Sequence, residues 1–262
     1  MKKMTFIAGL VILSGLLVCP AGSICQAQTN QMMDFSNYKI QDLVRSSGMI
    51  TSKPLPTIGT IVGSPEARDN IGERDVVYVK LAPGNQVKPG DRFTIARWGR
   101  EISHPITGKK LGNVVRVPGV LVILEGQSGI VPARLEKSFF PTMYGDLVIP
   151  PVPFPPKNLP TRFGERINGT IVASPEQEEN ISERVVVFID RGTQDGVVMG
   201  DIFYIYQEPY LTKEADGSKN VPLFRVGEGI AVSVNTETSS LLVTKSFKAI
   251  YIGDTIISGK GR

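Results

Sequence analysis

The feature that most constrains this chain is a repeat of itself. Residues 59–95 read GTIVGSPEARDNIGERDVVYVKLAPGNQVKPGDRFTI, and residues 169–205 read GTIVASPEQEENISERVVVFIDRGTQDGVVMGDIFYI. They align without a gap at an offset of 110, with 18 of 37 positions identical. Solenoid repeats run to about 20–50 residues, so a period this long means two copies of one domain. The copies also end alike. Ser138-Phe139 and Gly145-Asp146-Leu147-Val148-Ile149 in copy one match Ser246-Phe247 and Gly253-Asp254-Thr255-Ile256-Ile257 in copy two, while copy one carries extra residues around Leu124 to Arg134. A chain of 262 residues has room for two domains. They are predicted at 55–149 and 162–258.

Within each copy the pattern is β. Asp75-Val76-Val77-Tyr78-Val79-Lys80 and Val185-Val186-Val187-Phe188-Ile189 are β-branched and aromatic runs of strand length. Four Gly-Asp pairs each precede a strand: Gly90-Asp91, Gly145-Asp146, Gly200-Asp201 and Gly253-Asp254. Glycine supplies a positive φ, and the Asp carboxylate accepts backbone N–H groups of the turn, so these eight residues read as structural turns and not as catalytic acids. Val87 to Ala96 is similar to the opening of a LysM carbohydrate-binding module, in which a helix follows the Gly-Asp. The aligned segment Gly200-Asp201-Ile202-Phe203-Tyr204-Ile205-Tyr206 is strand-like. One fold cannot be helix in one copy and strand in the other, so a strand is predicted in both.

The order of a β-run, then Asp195-Gly196-Val197-Val198-Met199-Gly200-Asp201, a strand, a hairpin and a closing Ser-Phe and Ile-Gly-Asp resembles the C-terminal domain of flagellar assembly protein T, an H-ring component. The same domain type occurs in LysM-bearing proteins associated with type IV pilus secretins. Copy one adds His104-Pro105-Ile106-Thr107-Gly108-Lys109-Lys110-Leu111-Gly112, similar to the hairpin those proteins carry after their second strand. The resemblance covers both copies. It implies a small β-barrel-like fold, periplasmic residence, and ring or scaffold roles around envelope machines. Two departures stand out: the chain has no convincing LysM, and copy one reads Gly84-Asn85-Gln86 where copy two reads Gln194-Asp195-Gly196.

The flanks complete the expected layout. Lys2 and Lys3 followed by the apolar stretch Phe6 to Val18 and the small-x-small site Cys25-Gln26-Ala27 read as a cleavable signal peptide over 1–27. Both cysteines, Cys19 and Cys25, would leave with it. The exported chain would then have neither a disulfide framework nor thiol chemistry, and a net charge of 27 − 25 = +2, which argues against nucleic-acid binding. The arm 28–54 is expected to hold one helix capped by Ser36, with Ile40, Leu43 and Val44 as its apolar stripe and Gly48 as its stop. The Pro-rich stretch 150–161 is expected to be a semi-rigid polyproline II linker. The predicted fold class is therefore all-β: two tandem small β-barrel-like domains joined by a Pro-rich linker, after a signal peptide and a short arm.

No catalytic, metal or cofactor site is predicted. The sole histidine, His104, lies in a hairpin, where it reads as a polar surface residue. The acids Glu176, Glu178 and Glu179 face a mixed counterpart in Glu66, Arg68 and Asp69, so they read as a solvated loop. Walker and Rossmann glycine spacings are missing from the sequence. The copies differ most in the hairpin after the second strand. Arg92 to Lys110 sums to +4, against −1 for Ile202 to Asn220. The basic hairpin with Arg97, Trp98, Arg100, His104, Lys109 and Lys110 is the candidate contact for an anionic partner; the alternative is a solvated charged face. The expected function is a non-enzymatic periplasmic scaffold or accessory protein of a secretin, pilus or flagellar ring, outer-membrane-associated or ring-forming. A peptidoglycan or surface-polysaccharide binder is one alternative. A hydrolase with an unrecognised carboxylate pair is the other.

Overall fold

The computed structural model describes residues 32–34, 38–67, 70–153, 155–156, 158–176, 180–211 and 221–259. The expected signal peptide with its two cysteines, the cap Ser36, the loop residues Arg68, Asp69, Glu178 and Glu179, and the tip of the second hairpin lie outside them. Gln31–Arg262 forms one compact unit.

The chain begins with β1 (Met32–Asp34), α1 (Tyr38–Ser47) and β2 (Met49–Thr51). Copy one supplies β3 (Gly59–Gly63), β4 (Val76–Leu81), β5 (Arg92–Ser103), β6 (Lys110–Ile123), β7 (Ile130–Ser138) and β8 (Leu147–Ile149). A short β9 (Asn158–Pro160) precedes copy two, which supplies β10 (Asn168–Ala173), β11 (Val186–Ile189), β12 (Ile202–Gln207), β13 (Phe224–Val234), β14 (Ser239–Ser246) and β15 (Thr255–Ser258). The described fold is thus β with a single α-helix.

Copy two closes into a six-stranded barrel in the order β10-β11-β14-β13-β12-β15. Copy one runs β3-β4-β7-β6-β5-β8 through the same pairings, with β8 returning to β3 and β2 added on the free side of β6. All pairs are antiparallel. Alternation along the strands sends one residue in two inward, and the two interiors correspond. Ile61, Ile71, Val77, Val79, Val87, Ile95, Ala133, Leu135 and Val148 fill the first. Their repeat partners Ile171, Ile181, Val187, Ile189, Val197, Ile205, Leu241, Val243 and Ile256 fill the second. The correspondence reaches the backbone: Arg74 and Arg184, 110 residues apart, both adopt positive φ, at 74° and 67°.

The Gly-Asp turns share one geometry. Each aspartate Oδ2 accepts the N–H three residues before it, from Lys88, Met143, Val198 and Tyr251, at 2.8 Å in every case. The glycines take φ of 90°, 92°, 94° and 103°, a region that disfavours any side chain. A strand follows Gly90-Asp91, as in copy two, where a LysM would have a helix.

The arm and the Pro-rich stretch lie against the two sheets. Ile40, Leu43 and Val44 of α1 pack on Val186, Ile230, Val232 and Leu242 of the barrel. Gly48 ends α1 with φ of 72°, and the chain turns at once to pair β2 with β6. In the Pro-rich stretch, the Val152 N–H donates to Thr94 Oγ1 at 3.1 Å, Leu159 is buried beside α1, and β9 pairs with β1. The stretch therefore joins halves that touch: Ile50, Ile102, Leu111 and Val114 share one buried cluster with Val172, Ala173 and Phe188.

Candidate functional site

The β5–β6 hairpin is long because strand-forming residues continue past the sheet on both sides of a tight turn. His104 organises that turn. Its Nδ1 accepts the N–H groups of Ile106 (3.1 Å) and Thr107 (3.3 Å). With Nδ1 an acceptor, the neutral ring carries its proton on Nε2, which donates to Asp190 Oδ2 on the barrel at 3.1 Å. Asp190 is fixed in turn: Oδ1 accepts the Thr170 N–H at 2.6 Å, and Oδ2 accepts from Arg191 at 3.0 Å. His104 is 9% exposed, so it is a docking residue between the halves, not the surface residue expected from its place in a hairpin.

The six candidate contact residues divide among separate surroundings. Arg100 donates to Ser174 O on the barrel at 2.9 Å, and burial pulls its guanidinium below the usual value. Arg97 points back into its own sheet. Its Nε and Nη2 grip the two oxygens of Asp146 at 2.6 and 2.7 Å, and Nη2 also donates to Pro141 O at 2.9 Å. Lys110 pairs with Glu101 at 2.9 Å on the exposed side of the hairpin. Lys109 is exposed, as is Trp98 at 42%. Arg97, Arg100 and His104 are thus occupied within the chain, and Trp98, Lys109 and Lys110 remain outward.

Several partners in this arrangement escaped the sequence reading: Asp190, Ser174, Glu176 (bonded to Arg116), Val172 and Phe188. The one signal available was the repeat itself. Phe188 stands where copy one has Tyr78, and losing a hydroxyl is what burial against apolar neighbours favours.

The barrel has a second outward feature. Arg225 lies over the Tyr204 ring at 4.0 Å and near Phe247 at 5.8 Å, and Lys248 lies over Phe224 at 4.6 Å. At these distances each cation is attracted to the face of the ring it covers. A cleft of about 380 Å³ between β2 and the β13–β14 turn is lined by Thr51, Lys53, Thr193, Asn235, Glu237 and Thr238, among others. It supplies one carboxylate, Glu237, where glycoside hydrolysis uses two. Among the described residues no group of three His, Cys, Asp or Glu side chains could hold a metal ion, and no helix is long and apolar enough to cross a membrane.

Neither a scan of protein-family models nor a search of curated proteins finds a match to this chain.

Proposed function

We propose that the chain is a non-enzymatic scaffold or accessory protein of a cell-envelope machine, of the secretin, pilus or flagellar-ring kind. In this reading it is exported by a cleaved leader, resides in the periplasm, and uses its two copies as tandem domains joined by the Pro-rich stretch. The resemblance to the flagellar assembly protein T domain motivates the class. The observation that carries it is the exposure of large apolar side chains, above all Trp98, Ile106, Ile130, Phe247 and Tyr210. Exposed apolar groups of this size concentrate at sites of protein association.

In-cell cross-linking of a tagged chain, followed by mass spectrometry, tests the reading. Recovery of a secretin or basal-body subunit is expected. The combination of Trp98→Ala and Lys109→Glu should reduce that recovery without altering the thermal melt, because both side chains point outward. Reversing Arg97 or Arg100 would confound the test by breaking internal contacts. Pelleting of the chain with purified peptidoglycan, with no protein partner recovered, would overturn the scaffold reading in favour of a polysaccharide binder, for which the exposed ring of Trp98 supplies a stacking platform.

A further inference from the structure

The cleft between β2 and the β13–β14 turn is built by three parts of the chain that only the folded arrangement brings together. The arm gives Ile50 and Lys53, copy one gives Leu111, and copy two gives Thr193, Val234 and Glu237. Its volume of about 380 Å³ lies in the range of small-molecule sites, about 300–1,000 Å³, which favour the junctions between domains. Ile50 and Leu111 are 2% and 6% exposed, and with Val234 they make its apolar lining.

Both sides of the cleft are fixed. The outer edge of β2 is tied to the barrel by side chains: Ser240 Oγ donates to Gly48 O at 3.3 Å, Thr238 Oγ1 to Ile50 O at 3.1 Å, and Asn235 Nδ2 to Ile50 O at 3.4 Å. The 3-10 turn Thr193–Asp195 is tied to the same β13–β14 turn. The Thr193 N–H donates to Asn235 O at 2.8 Å and the Gln194 N–H to Thr236 O at 3.2 Å. Gly192 permits this close approach, since a Cβ there would lie 2.4 Å from Thr236 O; copy one has Ala82 at that position. A site held in this way loses little freedom when a ligand enters.

The charges are the informative part. Lys53 on the arm and Glu237 on the turn are both exposed, and among the described residues neither enters an ion pair. A simple anion meets Glu237 in this cleft, and a simple cation meets Lys53. A sugar stacked on a ring is not provided for, because no aromatic side chain is among the described lining residues. A ligand with one charge of each sign and an apolar part satisfies every group present. We propose that the cleft binds a small zwitterion of this kind, an apolar amino acid or short peptide, with its carboxylate toward Lys53, its ammonium toward Glu237 and its side chain on Ile50, Leu111 and Val234. Such a ligand touches the arm and both copies at once, so its binding stabilises their docked arrangement by mass action. This site goes beyond the scaffold reading and does not depend on which machine the chain joins.

Isothermal titration calorimetry of the purified chain with L-leucine and with the dipeptide L-alanyl-L-leucine tests it. N-acetyl-L-leucine, which lacks the ammonium, and L-leucinamide, which lacks the carboxylate, are the controls. At least one zwitterion is expected to bind, and each control to bind about tenfold or more weakly for the loss of a charge-assisted bond. Lys53→Met should abolish the preference over leucinamide, and Glu237→Gln the preference over N-acetyl-leucine. Both variants should keep the wild-type circular-dichroism melt, since both side chains are exposed. No binding of either zwitterion up to about 10 mM, controls that bind as well as leucine, or variants that bind like the wild type would each overturn the proposal. The cross-linking result in cells bears on the scaffold reading alone, so the failure of one leaves the other standing.

Discussion

Arg97 and Gln207 occupy the same place in the two copies, and the difference between them makes a quantitative prediction. In copy one the guanidinium grips both oxygens of Asp146, which is 3% exposed, and also reaches Pro141 O. In copy two the Gln207 Nε2 donates to Asp254 Oδ2 at 2.7 Å and to Ala249 O at 2.9 Å, so a neutral amide reproduces the same reach without the charge. Arg97→Ala leaves the Asp146 carboxylate buried without its cation, holding the Met143 N–H. Removing one member of a buried pair costs about 3–5 kcal/mol. Arg97→Gln should instead copy the arrangement at Gln207 and lose one charge-assisted bond, about 1.5–3 kcal/mol. Urea unfolding at neutral pH, followed by circular dichroism, measures both. Equal costs for the two variants, or a cost for Arg97→Ala below about 1 kcal/mol, would refute the reasoning and place the stability of this turn in its backbone alone.

Asp254 gives the pH counterpart. Burial raises its carboxyl above the ordinary 3.8 despite the bonds from Tyr251 and Gln207. A folded-state pKa above the unfolded one means that its contribution is fully present below about 3.9 and is lost as pH rises through the folded value. Asp254→Asn should therefore flatten this part of the slope, read as the difference in urea midpoint between pH 4 and pH 7 for variant and wild type. His104→Ala removes the Nε2 bond to Asp190 and the acceptor for two turn N–H groups, and should cost about 1–3 kcal/mol in the same assay. Gly48→Ala should cost more than the roughly 1–2 kcal/mol of a left-handed L-residue, because its Cβ would meet Val115 O at 1.8 Å and force β2 from β6. Phe188→Ala should cost about 3–5 kcal/mol, whereas Tyr78→Ala, its exposed repeat partner, should stay within about 0.5 kcal/mol.

Much of the fold was legible in the sequence because its signals are local. β-branched runs, Gly-Asp turns and a repeated register of apolar positions each act over a few residues, and the repeat doubled every observation. The strand after Gly90-Asp91 was read this way. The helix of the arm was read from Ile40, Leu43, Val44 and Gly48, and all four take the expected roles. The candidate site was less legible. Arg97, Arg100 and His104 looked like one basic group with Trp98, Lys109 and Lys110 because they share a hairpin. A hairpin's two faces and its tip meet different surroundings, however, and composition does not report which.

By itself, then, the sequence determined that this protein is a duplicated β-fold with glycine-aspartate turns, since those features depend on backbone conformation and short-range side-chain alternation. Tertiary structure alone decided that the halves touch, that His104 meets Asp190, 86 positions along the chain, and that Phe188 is buried while Tyr78 is not. The physical reason is that the two copies carry nearly the same local code. What distinguishes them is which neighbouring element covers each outer face, and that depends on where the arm and the first hairpin come to rest in space.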